Sequence, residues 1–79
     1  MKTKELGIKG QNKQVLDHLI EFGSITPMEA MQKYSIMRLG ARCYDLKRQG
    51  YIIKTVMEEH VNKFGNKTRY ARYTLVKED

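Results

Sequence analysis

The side chains best equipped for chemistry are arginines. Arg38, Arg42 and Arg48 lie within eleven residues, and Arg69 and Arg72 follow near the C-terminal end. A guanidinium is a planar fork of donors that stays charged, so it grips a carboxylate, a phosphate or a purine edge through two bonds at once. What accompanies them excludes other chemistry. Cys43 is the only cysteine, which rules out an internal disulfide, and with only His18 and His60 beside it there are too few soft ligands for structural zinc. No nucleophile, base and orienting group fall at a catalytic spacing, so no enzyme, cofactor or metal is expected.

The 79 residues carry a net charge of +6, with 41% hydrophobic and 30% charged residues. A chain this short buries only about 60–65% of its unfolded surface, enough for one modest core and not for a deep active site. The charge is uneven. Residues 1–34 hold five lysines against four acidic residues, whereas 35–76 hold nine Lys and Arg against three acidic residues, so the basic surface belongs to the second half. No apolar run is long enough for a signal peptide or a membrane span, so a cytoplasmic location is expected.

Residues 1–10, with Gly7, Gly10 and four charges, read as a flexible arm; 11–76 read as the domain and 77–79 as a tail. From Gln11, the residues Val15, Leu16, Leu19 and Ile20 gather on one helical face, and Gly23 supplies a left-handed cap. Ser24 and Ile25 form a short extended piece. Thr26-Pro27-Met28-Glu29 is a capping box with proline at the first helical position, predicting a second helix from Pro27 to about Tyr34 with Ala30 and Met31 inward. Ser35 then predicts a cap for a third helix over Ile36 to Gln49, stopped by Gly50.

Beyond Gly50 the period changes to two. Tyr51–Val61 and Thr68–Val76 are rich in β-branched and aromatic residues, and Phe64-Gly65-Asn66-Lys67 predicts a tight turn. With Gly65 and Asn66 central, Glu59 opposes Arg72 and Val56 opposes Leu75. Ile52, Val56, Ala71, Tyr73 and Leu75 then form the core face, with a bulge to accommodate Ile53 and Met57. His18 and His60 are expected on the surface, and Cys43 as a small buried hydrophobe.

This order, three helices followed by a β-hairpin with a short extra strand near Ile25, is that of a small α+β winged helix-turn-helix, in which the third helix enters the DNA major groove. On that helix Ile36, Leu39, Cys43 and Leu46 point inward, and Gly40 lets a neighbouring helix approach. Met37, Arg38, Ala41, Asp45 and Arg48 point outward with Arg42 on the flank. Arg38 and Arg42 are the expected base or phosphate readers and Met37 and Ala41 suit thymine methyls. Lys47 and Arg48 suit phosphates, and Asp45, three residues from Arg42 and from Arg48, orients a guanidinium. At the hairpin tip Lys63, Phe64, Lys67 and Arg69 are expected along the sugar-phosphate backbone.

The runs SITPMEAMQKYSIMRLGARCYDLKRQGYII and NKFGNKTRYARYTL resemble the short winged helix-turn-helix domains of bacteriophages and prophages over about residues 12–76. Thr26, Pro27, Glu29, Arg38, Leu39, Arg42, Asp45, Gly50, Tyr51 and the Phe64-Gly65 turn carry the likeness. Gly40, Cys43 and Lys47 depart from it. The resemblance implies a non-enzymatic protein that binds double-stranded DNA, a transcriptional regulator or excisionase-like factor. The alternative is a phage protein that binds a host partner and inhibits a nucleic-acid machine such as a CRISPR effector. Neither reading fixes the oligomeric state, and a homodimer suits a palindromic operator.

Overall fold

In the computed structural model the described residues run from 8 to 77. Most of the expected arm, residues 1–7, and the end of the tail, 78–79, lie outside them. Within the arm's remainder, Ile8 is buried against the core and Gly10 already belongs to the first helix.

Helix α1 spans Gly10–Phe22. Its inward arc runs from His18 through Val15 and Leu19 to Leu16, all buried, which leaves Ile20 outside at 44% exposure rather than in the core. Gly23 closes the helix at φ 88°, its N–H bonded to the Leu19 carbonyl at 2.8 Å. His18 is not a surface residue. It is 3% exposed, its Nδ1 joined to the Tyr34 hydroxyl at 2.7 Å, with the Phe22 ring tilted against it at 4.6 Å and Glu29 4.0 Å from Nε2. A buried imidazole needs polar partners, and the second helix supplies them.

Strand β1, Ser24–Ile25, leads into helix α2, Pro27–Tyr34. The capping box forms: Glu29 N–H donates to Thr26 Oγ1 at 3.2 Å, and Thr26 N–H to Glu29 Oε1 at 2.9 Å. Thr26→Ala is expected to cost about 1 kcal/mol, read as a lower urea midpoint. Ala30 is buried, whereas Met31 is exposed.

Ser35 does not cap the third helix. It ends α2 in the left-handed region at φ 58°, its N–H bonded to Met31 O at 3.0 Å while Ile36 N–H reaches Ala30 O at 3.1 Å. That reversal drops Ile36 into the core and spends Met37 and Arg38 on the turn. Helix α3 is therefore Leu39–Arg48, shorter than the Ile36–Gln49 expected. The Arg38 carbonyl is its first acceptor, for Ala41 N–H at 3.1 Å and Arg42 N–H at 3.3 Å.

Strands β2, Ile52–Val61, and β3, Lys67–Val76, are antiparallel, and the sheet order is β1-β3-β2. Ser24 pairs with Thr74 and Ile25 with Tyr73. The hairpin register differs from the expected one: Val56 faces Arg72, Glu59 faces Arg69 and Ile53 faces Leu75. The turn explains the shift. Asn62 N–H bonds to Asn66 O at 2.9 Å and Gly65 N–H to Asn62 O at 2.9 Å, with Gly65 at φ 83°, so the loop is Lys63-Phe64-Gly65 and its left-handed residue is the bulge. The Asn62 carboxamide also accepts from Phe64 and Asn66 N–H at 2.9 and 3.0 Å. A three-residue slip is odd, so it exchanges the faces of β2: Ile53 is buried, and Ile52 and Val56 are exposed. Tyr73 and Leu75 pack against the core as expected.

Cys43 is buried on the inward face of α3, and burial pushes its thiol up to about 11 against the opposing pull of Lys47. A thiolate is the reactive form, so thiol reagents at neutral pH are expected to leave it untouched until the protein unfolds. A spectroscopic thiol assay with and without denaturant checks this.

Candidate nucleic-acid interface

The short connection between α2 and α3 buries Ile36 and turns its last two side chains to solvent. Met37 is 80% exposed there, and Arg38 beside it is exposed as well. Ala41, Tyr44 and Arg48 then follow at helical spacing on α3 and share one face. Tyr44, 61% exposed, is absent from the sequence-derived set, yet it falls on the arc that places Ala41 and Arg48. Its ring offers an apolar surface and its hydroxyl a hydrogen bond. Lys47 and Arg48, both exposed, sit in the last turn, where the helix dipole favours cations.

Arg42 behaves differently from its neighbours. Its Nη2 lies 3.4 Å from Asp45 Oδ2, the same oxygen that accepts from Asn12 Nδ2 of α1 at 3.3 Å. Arg42 is half-buried, and its Nε and the Asn12 Oδ1 are buried with no hydrogen-bond partner among the described residues. Asp45 thus holds the guanidinium back toward α1, and among the described residues no ion pair joins Asp45 to Arg48. Asn12 gives no sign in the sequence that it reaches α3, because the contact depends on how the two helices cross.

The hairpin tip carries the other exposed cations. Lys63 and Phe64 occupy the turn, with the Lys63 ammonium 5.4 Å from the Phe64 ring centre and the ring 78% exposed. Lys67 opens β3, and Arg69 stands across from Glu59. Arg69 also lines a groove of about 520 Å³ whose far wall is Pro27 and Met28 of α2. Arg72 is committed within the chain: its Nε bonds Glu58 at 3.0 Å and its Nη1 bonds Ser24 Oγ at 3.0 Å. Hydrogen bonds from Tyr70 and then Arg72 hold the Glu58 carboxyl below the usual glutamate range.

Helix and hairpin are fixed to one another at the N-terminal end of α3. A Cβ on Gly40 would stand 3.3 Å from the Tyr73 hydroxyl, so the close neighbour is a strand residue and not the helix expected there.

A helix-turn-helix with an exposed second helix, followed by an antiparallel hairpin that packs on it, defines the winged helix-turn-helix class. The chain matches the family described as winged helix-turn-helix domain over residues 10–78, and it belongs to that family. No curated protein and no solved structure matches it. Helix-turn-helix proteins place the second helix of the motif in the DNA major groove, so membership points to DNA binding. Among the described residues no helix is long and apolar enough to cross a membrane.

Proposed function

We propose that the protein is a phage- or prophage-type DNA-binding factor, a transcriptional regulator or excisionase-like protein acting in the bacterial cytoplasm. Helix α3 enters the major groove and the hairpin tip follows the sugar-phosphate backbone. The observation that carries this reading is the distribution of exposed cations that form no ion pair among the described residues. Arg38, Lys47, Arg48, Lys63, Lys67 and Arg69 are all exposed, on the turn, one helix and one hairpin. Met37, Ala41 and Tyr44 lie between them as groups suited to base edges and thymine methyls. Arg42, held by Asp45, braces this face and reaches a phosphate or base once duplex approaches.

Binding through six cations should be strongly salt-dependent, because each neutralised phosphate releases condensed counterions. The log–log slope expected is about −5. Fluorescence anisotropy with a labelled duplex over a salt series measures it. An affinity unchanged between low and physiological salt would overturn the proposal.

A further inference from the structure

Among the described residues the sheet has one long margin to which no strand is bonded. In the order β1-β3-β2, strand β2 is bonded on one side only. Because Asn62 N–H bonds to Asn66 O in a register of matched parity, the even-numbered residues of β2 turn their amides and carbonyls toward β3. The odd-numbered residues, from Ile53 to Val61, turn theirs outward. An edge of this kind is a template for another strand unless it is short, bulged, or guarded by proline or lysine. Here it runs ten residues, contains no proline, has one lysine, and exposes Ile52, Val56, Met57 and Val61.

We propose that β2 pairs antiparallel with β2 of a second copy of this chain, about a two-fold axis through Val56, to give a six-stranded sheet. The choice of occupant follows from symmetry and charge. A two-fold axis normal to the sheet keeps each residue on its own face, so only residues of like parity can oppose one another, and the axis must pass through a residue. Centring it on Glu58 would stack glutamate on glutamate. A centre at Met57 sets Lys54 against His60 and Val56 against Glu58, and a centre at Thr55 sets Lys54 against Val56. Centring on Val56 instead brings Lys54 opposite Glu58 twice, with Val56 meeting itself between the two pairs. In that arrangement the odd residues exchange the hydrogen bonds, and the even ones form the closer non-bonded pairs, about 4.5 Å between Cα atoms.

Glu58 already holds Arg72 on the outer face at 3.0 Å. Lys54 of the second copy approaches from the other side, completing a cation-anion-cation row across three strands. The same axis leaves both α3 helices on one side of the sheet and the two hairpin turns at opposite ends. Two helices related in this way suit an inverted repeat in duplex DNA.

Self-association is measured without DNA, so this inference and the DNA-binding reading fail independently. Sedimentation of the full chain over a range of concentrations should show a monomer–dimer equilibrium. Lys54→Glu, which places like charges opposite each other twice, should weaken the dimer by about tenfold. Thr55→Pro removes an outward N–H that β3 does not use and should give a monomer with an unchanged circular dichroism spectrum. Val56→Cys should form a disulfide-linked dimer under mild oxidation faster than Met57→Cys, because only residue 56 then has its own copy within disulfide reach. Cys43 is buried and contributes no background. A monomer at every concentration, or faster cross-linking at residue 57, would overturn the proposal.

Discussion

Removing Arg38 and Arg48 together is expected to abolish tight binding to duplex DNA while leaving the fold intact. Arg38 contributes its carbonyl to the start of α3 and directs its side chain to solvent, and Arg48 is exposed and makes no ion pair among the described residues. Alanine at either position therefore deletes a donor fork and nothing that the domain uses. Each substitution should cost about 1–3 kcal/mol if the fork reaches a base and should lower the salt slope by about one if it reaches a phosphate. Stability should change by no more than about 0.5 kcal/mol per site. The matched control is the double replacement of Lys13 and Lys33, which removes the same charge from α1 and α2. Equal losses for the two pairs in an anisotropy titration would mean that total charge, and not this face, carries binding.

The second large effect is on stability. Leu46→Ala should lower the unfolding free energy by about 2–5 kcal/mol, because Leu46 is fully buried and its removal opens a cavity in the core. A domain of this length has only about 4–12 kcal/mol in total, so the variant should be partly unfolded at growth temperature. Ile20→Ala, at a half-exposed site of α1, should cost less than about 1 kcal/mol. Urea unfolding of the two variants separates them, and a reversed order would mean that α1 packs through a different face.

Much of this architecture is legible locally. The Thr26–Glu29 box, Pro27 and Gly23 act through backbone groups within a few residues, and those signals mark the ends of α1 and α2 without reference to the rest of the chain. What escapes is decided by tertiary contacts. Ser35 has the composition of an N-cap, and it adopts φ 58° because Ile36 must reach the core. The Gly65-Asn66 pair matches a two-residue hairpin turn, but the Asn62 side chain binds two amides and selects a three-residue loop. That single choice reverses the roles of Ile52 and Ile53. His18 lies on the apolar arc of α1, where the pattern alone gives no reason to bury it; Tyr34 and Glu29, brought in by α2, are the reason. On the proposed DNA face, Tyr44 was accessible to the same helical spacing that selects Ala41 and Arg48. Asn12 was not, since its bond to Asp45 joins two helices 33 residues apart in sequence.

The near-contact between position 40 and the Tyr73 hydroxyl limits how modular this domain can be. Recognition helices are often treated as exchangeable cassettes for retargeting a scaffold. Here alanine at position 40 would set its Cβ 3.3 Å from the Tyr73 hydroxyl, so the tip of that side chain has to give by a few tenths of an ångström to accept it. Libraries that randomise α3 therefore need position 40 read together with position 73.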